Sequence, residues 1–260
     1  MESNRRIAMG KAERGAFLQR NPFPKPYTLG FYYREKMRAI HQVTPGEEFA
    51  RVLELGGGQS GLTRLLFPNS AILTLDADAA FGHAPCNLQP DVRFVCGDAE
   101  HLPFADESFD AVTMFDVLEH IPNDHRAMAE AMRVVRTGGP VLISTPNPNW
   151  RFPFYRVMQP LCPAEAAVMS EWGHVRRGYS LTQLQQLAGV GCEAAADFIN
   201  KMTVLSHDIA FSRLPGAIRR LSCMLLWPLT WMGYALHRRS TWGTETASCW
   251  RKQGRGQHGI

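Results

Sequence analysis

The stretch RVLELGGGQSG, Arg51 to Gly61, runs an apolar segment into a glycine-rich turn. A second apolar segment, AILTL at 71–75, ends on Asp76, twenty residues after Gly56. Strand, glycine turn, helix, strand and terminal acid are the layout of a nucleotide-cofactor site on a parallel sheet. Gly56, Gly58 and Gly61 satisfy G-x-G-x-x-G, so the loop alone suits a dinucleotide as well as another adenosine cofactor. Only glycine lets backbone approach a ligand this closely.

Glu54 separates the two candidates. It lies two residues before Gly56, at the carboxyl end of its strand. A pyrophosphate there would meet a carboxylate and be repelled. The methionine half of S-adenosylmethionine (SAM) carries an ammonium and a sulfonium, which an acid attracts. Asp76 accepts hydrogen bonds from a ribose diol with either cofactor.

The next segment, VRFVCGDAEHLPFADESFDAVTMFDVLEHIPN from Val92 to Asn123, resembles the core of class I SAM-dependent methyltransferases. The matching pieces are GDAEHLPF, the turn ADES, the strand FDAVTMF and DVLEH at its end. RVVRTGGPVLISTPNPN, Arg133 to Asn149, is similar to the helix, Gly-Gly turn and fifth strand of that family. DVLEHIP followed by a strand ending in STPN resembles quinone-type O-methyltransferases in particular. The resemblance covers roughly residues 45–150, and beyond them only HVRRGYSLTQL, His174 to Leu184. One departure is Ser60, where many members have glycine. Serine is small and caps helices, so altered loop detail with intact binding is expected.

The resemblance implies site roles. Gly56, Gly57 and Gly58 would lie against the methionine end of SAM, with Glu54 facing its charged part. Asp76 would hold the ribose hydroxyls, with Ala77 near the adenine. Asp98 would accept from the adenine amino group, with the Ala99 N–H beside it. Phe115 and Asp116 would line the methyl-donating centre. Asp78 reads as a helix N-cap. His120 is the candidate catalytic base, or else it packs beneath the cofactor. His174 is a second candidate, or a surface-loop histidine. No base is obligatory, because in-line methyl transfer is helped mainly by holding the reactants close. Arg176 and Arg177 would bind an anionic acceptor or form a solvated face. Trp150, Phe152, Phe154 and Tyr155 would form the acceptor pocket or simply pack a long loop.

Composition narrows the setting. The chain has 260 residues and a net charge of +4, unevenly spread. Residues 1–40 carry +6, residues 41–200 carry −9 and residues 201–260 carry +7. An acidic middle suits a cationic cofactor; basic ends suit an anionic surface, lipid or nucleic acid, or merely solubility. The six cysteines form no C-x-x-C, so neither a zinc site nor a disulfide framework is indicated, and no metal is expected. No apolar leader is visible near the N-terminus, so the cytoplasm is the expected location.

Strands are expected near 51–55, 71–75, 92–96, 109–115 and 140–145, with further strands near 193–199 and 202–205. Helices are expected near 31–42 at a sheet edge, over 122–136 with Pro122 in the first turn, and over 181–188 after the cap Ser180. The fold expected is α/β and Rossmann-like, a mostly parallel doubly wound sheet with helices on both faces and an apolar C-terminal helical extension. Its divisions are a basic N-terminal segment with an edge helix (1–44), a methyltransferase domain (45–206, with an insertion at 146–178) and a C-terminal extension (207–260).

LSCMLLWPLTWMGYAL, Leu221 to Leu236, holds sixteen residues without a charge between arginine pairs. A bilayer span needs about 20 residues, so the segment reads as an interfacial element at the inner face of a membrane, a core helix, or a dimer contact. The leading function is methyl transfer from SAM to a small-molecule or lipid-linked acceptor, at oxygen. A nicotinamide-dependent oxidoreductase and a non-catalytic methyltransferase-like scaffold are the alternatives. A nucleic-acid substrate is disfavoured, because the fourth strand exits into FDVLEH and not the N-P-P-aromatic sequence used for flipped bases. Oligomeric state is open.

Overall fold

The computed structural model describes residues 17–21, 30–238 and 242–254. Its framework is one seven-stranded sheet: β1 (Arg51–Leu55), β2 (Ala71–Asp76), β3 (Val92–Cys96), β4 (Ala111–Phe115), β5 (Pro140–Pro146), β6 (Cys192–Phe198) and β7 (Glu245–Arg251). The order across it is β3-β2-β1-β4-β5-β7-β6. The first five strands pair in parallel, and β7 runs antiparallel between β5 and β6. From β1 the chain winds outward to β3, then crosses back to β4 on the other side of β1. The carboxyl ends of β1 and β4 therefore border the crevice in which such sheets bind ligands.

The helices are α1 (Gly30–Val43), α2 (Leu62–Leu66), α3 (Asp124–Val134), α4 (Glu165–Glu171), α5 (Leu181–Ala188), α6 (Lys201–Ala210) and α7 (Gly216–Leu236). Side chains alternate across a strand, and the apolar runs therefore feed two cores. Val52, Ile72, Ala111 and Leu142 join Met37 and Ile40 of α1 and Leu62 and Leu66 of α2 on one face. Leu53, Leu75, Val112 and Ile143 join Met128 and Ala131 of α3 and Leu184 of α5 on the other. Ser180 caps α5 in a capping box with Gln183, and Gly189 ends the helix in the left-handed conformation.

Several expectations are corrected. Helix α1 lies on a face of the sheet, against β5, β6 and β7, not along its edge. Residues 202–205, expected as a strand, lie in α6, because the Asn200 carboxamide accepts from the N–H groups of Met202 and Thr203 and starts a helix there. Pro122 precedes the cap Asn123 and stands outside α3. The domain boundary at 206 does not hold. β7 occupies an interior position in the sheet, so α6 and α7 form an insertion between β6 and β7, not a C-terminal extension. β7 is rich in small residues, and its pattern alone does not announce a strand. Of the expected basic N-terminal segment, residues 1–16 and 22–29 lie outside the described residues.

Trp250 of β7 is fully buried, and its indole N–H donates to Ser248 Oγ at 2.9 Å. Trp250→Ala should destabilise the fold by about 3–5 kcal/mol, the scale for emptying a large aromatic site. Urea unfolding followed by circular dichroism measures this. A loss below about 1 kcal/mol would place β7 outside the cooperative sheet.

Candidate functional site

The glycine loop leaves β1 and turns back over it. Gly56, Gly58 and Gly61 all have positive φ, at 64°, 52° and 57°. A Cβ on Gly57 would stand 2.6 Å from the Glu54 carboxyl carbon, and one on Gly56 would stand 2.6 Å from Val117. Over Gly58 nothing among the described residues lies within 4 Å of the Cβ position. The loop thus presses on the protein at Gly56 and Gly57 and presents an open face at Gly58.

Glu54 lies under the loop and is only 4% exposed. Its Oε1 accepts from the Thr63 N–H at 3.3 Å and its Oε2 from the Thr74 hydroxyl at 3.0 Å. Burial holds its carboxyl above the usual range, against the pull of these hydrogen bonds. Glu54 therefore ties β1 to α2 and β2 as well as placing an acid beneath the loop. Asp76 closes the loop from the side: Oδ2 accepts from the Gly58 N–H and Oδ1 from the Asp78 N–H, both at 3.1 Å. Ser60 Oγ accepts from the Leu62 N–H at 3.3 Å and donates to the Gly57 carbonyl at 3.1 Å, so the serine braces the loop, while the N-cap position of α2 falls to Gly61 and not to Ser60 as expected. Asp78 caps the short helix at 79–83, and Ala77 is exposed beside it.

Beyond β3, Asp98 makes a turn. Its carboxylate accepts from the Glu100 N–H at 2.8 Å and meets His101 Nδ1 at 3.1 Å, and these contacts hold its pKa low. The side chain remains 61% exposed. Ala99 packs towards the core below. Arg133 fixes the loop that follows, donating to Glu130, to Asp106, and to the carbonyls of Leu102 and Phe104.

The fourth strand delivers the other half of the site. Phe115 is half-buried, and Asp116 follows with a φ of 54°, unusual for a residue with a side chain. Its carboxylate accepts from Ser144 Oγ at 2.6 Å and pairs with the Lys36 ammonium from α1. Two further acids stand nearby. Glu119 is buried, with Oε2 accepting from the Thr145 hydroxyl at 3.2 Å. Burial, followed by the Asp116 charge, pushes Glu119 well up and Glu245 to about 8. Lys36 and Glu245 were invisible in the sequence, since they arrive from α1 and β7. Glu119 was in view within DVLEH, where its burial between Leu118 and the strand end carried no signal.

His120 and His174, read separately from the sequence, come together. Their rings meet edge to face with centroids 4.7 Å apart. Trp150 and Trp172 lie 6.0 and 5.8 Å from His174. Burial, followed by His120, pushes the His174 pKa down to about 4. Arg176 is not a free anion-binding group. Its guanidinium donates to the carbonyls of Leu118, Ile121 and Pro122 and stitches the insertion to the β4 exit. Arg177 pairs with Glu165. Trp150 and Phe152 fill a small core of their own with Met158 and Val168, while Phe154 and Tyr155 bridge to the main core. The two half-sites abut. Val117, on which Gly56 rests, accepts at its carbonyl from the His120 N–H at 2.9 Å.

Residues 53–143 match a family described as a methyltransferase domain. A phthiotriol/phenolphthiotriol dimycocerosates methyltransferase of Mycobacterium ulcerans is 39% identical over 125 residues, covering 45% of each chain. A demethylmenaquinone methyltransferase of Mycobacterium bovis is 34% identical over 119 residues, 45% of this chain and 49% of that one. The match thus spans about half the length of these curated relatives. Among solved structures, a SAM-dependent methyltransferase of Thermotoga maritima superposes with a TM-score of 0.56 at 18% identity, over 86% of this chain and 90% of that one. The cyclase SpnF superposes with a TM-score of 0.56 at 18% identity, over 85% and 82%. The sheet order and the match over 53–143 together give this chain an α/β class I methyltransferase fold with a methyltransferase domain at its centre.

Proposed function

We propose that the chain transfers the methyl group of SAM to an oxygen of a small or lipid-linked apolar acceptor. The observation that carries this is the abutment of Gly56 on Val117, whose carbonyl accepts from the His120 N–H, so that the glycine loop and the turn bearing His120 share one contact at the β4 exit. SAM would supply a sulfonium-activated methyl group. Gly58 offers the open face to it, and Asp76 has lone pairs left for a ribose diol. Acids gather on both sides: Glu54 and Asp76 at the loop, Asp116, Glu119 and Glu245 at the β4 end. Such a field favours the cationic methionine half of SAM and opposes a pyrophosphate. The acceptor hydroxyl would give up its proton at the His120–His174 pair.

Fold alone does not fix the activity, and a cyclase shares this architecture. Calorimetry separates the readings. SAM and S-adenosylhomocysteine should bind and NAD should not; NAD binding without SAM binding rejects methyl transfer. Asp76→Ala should weaken SAM affinity by about 1–3 kcal/mol, the scale of a lost charge-assisted hydrogen bond. His120→Ala should lower turnover by about 10²–10⁴ while SAM affinity holds. A fall in affinity with turnover preserved would make His120 a support for the cofactor and remove it from the chemistry.

The lipid-linked acceptor and a peripheral place at the inner face of a membrane are supported by α7 and by the relatives named for phthiotriol/phenolphthiotriol dimycocerosates and for demethylmenaquinone. Only Thr230, Gly233 and Tyr234 of α7 are buried. Leu221, Met224, Leu225, Trp227, Trp231 and Met232 are exposed, at spacings that form a continuous apolar stripe. Among the described residues no helix is long and apolar enough to cross a membrane. Arg219, Arg220 and Arg238 flank the stripe; Arg239 lies outside the described residues. A cleft of about 300 Å³, lined in part by Met202, Leu236 and Trp242, opens beside the helix. Burying the stripe would contribute about 25 cal/mol per Å², and each arginine about 1 kcal/mol near an anionic surface. The chain should co-sediment with anionic phospholipid vesicles at low salt, less so at high salt, and Leu225→Glu with Trp231→Glu should release it. A folded chain that ignores such vesicles at low salt rules the membrane out.

A further inference from the structure

Glu119, His120 and His174 each offer one ligand atom, and the three atoms lie within 4.8 Å of one another. Nothing in the sequence pattern suggested this cluster. His174 stands 54 residues after His120 and reaches it only through the insertion after β5.

The frame around the cluster is rigid. Glu119 and His120 sit on the short helix at 118–120, held by the His120 N–H bond to Val117. The Val175 N–H donates to the Glu119 carbonyl at 2.9 Å, and the His174 N–H to the Met169 carbonyl at 2.8 Å. Arg176 clamps the carbonyls of Leu118, Ile121 and Pro122 from the next turn of chain. The Thr145 hydroxyl donates to Glu119 Oε2 and orients the carboxylate, as outer partners of metal ligands do. One polar atom is left over: His174 Nδ1 is buried and has no hydrogen-bond partner among the described residues. A buried polar atom without a partner is costly, and the ring that carries it is one of the three groups in the cluster.

We propose that Glu119, His120 and His174 bind one divalent transition-metal ion of the zinc type, with a coordination position left open. Two imidazoles and one carboxylate are a donor set for zinc and its first-row neighbours, and a poor one for magnesium or calcium, which favour oxygen. Three protein ligands leave a fourth tetrahedral position free. Ligand atoms about 2 Å from such an ion stand about 3.3 Å apart, so side-chain rotations must close the cluster by at most about 1.5 Å. The ion's role at that position rests on the methyltransferase proposal: with an ion bound the two imidazoles would act on the acceptor through it and not as proton acceptors, the ion holding the acceptor hydroxyl and lowering its pKa, with the proton released to solvent. Ion binding itself does not rest on that proposal.

The test is uptake by the full chain, freed of metal with a chelator. Titration with Zn²⁺ by calorimetry should give one ion per chain. Co²⁺ should give the visible absorption of a four- or five-coordinate nitrogen–oxygen site. His174→Ala and Glu119→Gln should each weaken uptake at least tenfold while circular dichroism stays unchanged; should either fail to fold, His174→Gln takes its place. Uptake that is absent in the wild type overturns the proposal. So does uptake unaltered in folded His174→Ala, which would point to cysteines instead. SAM affinity of the metal-free chain is measured alongside. SAM binding without metal uptake sinks the ion and leaves methyl transfer standing; metal uptake without SAM binding does the reverse.

Discussion

The missing side chain at Gly57 is the constraint on which the site depends. It lets the loop settle onto the Glu54 carboxyl, where a Cβ would come within 2.6 Å. From that position Glu54 reaches Thr63 at the start of α2 and Thr74 of β2, so one buried acid joins three elements. Asp76 then draws the Gly58 N–H towards the end of β2. The loop is pinned below and at its side, and only the face over Gly58 stays open. A larger residue at Gly57 would lift the loop and unmake all of these contacts together.

A second constraint is electrostatic. The carboxyl ends of β1, β2 and β4, with the start of β7, bring Glu54, Asp76, Asp116, Glu119 and Glu245 to one edge of the sheet. Lys36 pairs with Asp116. Burial raises the pKa of Glu54, Glu119 and Glu245, because taking a lone carboxylate out of water is costly. A cation brought to this edge reverses that balance. The same acids that are strained by burial thus become an attraction for a positively charged ligand, whether a sulfonium or a metal ion.

The position of β7 explains the apolar helix. After β6 the chain must leave the sheet and return to pair between β5 and β6. α6 and α7 make that excursion, packed along one another. Ser206 and Thr230 share a hydrogen bond at 2.7 Å, and Gly233 lets the two helices approach at Met202. Arg38 of α1 lies over the Tyr234 ring, 3.8 Å from its centroid, and donates to its carbonyl. These contacts engage one side of α7. On the opposite side Leu221, Leu225, Trp227 and Trp231 are exposed.

By itself the sequence determined the first five strands, the glycine loop, Asp76 at a strand end, the cap at Ser180 and the methyltransferase-like fold. Each is written in short-range patterns: an apolar run, a glycine at a positive-φ turn, an acid at a strand end, a serine three residues before a glutamine. Tertiary structure alone decided what depends on distant partners. Residues 245–251 are a strand because β5 and β6 leave a gap of one strand's width, and their small side chains fit it without advertising it. Residues 202–205 are helical because Asn200 caps them. Glu54 lies under the loop, not open to its ligand side, because Thr63 and Thr74 hold it there. His120 and His174 meet because Arg176 fastens the insertion to the β4 exit. Local patterning encodes backbone conformation within a few residues, whereas a site joining α1, β4, β7 and a long insertion exists only once the sheet has brought their ends to one edge.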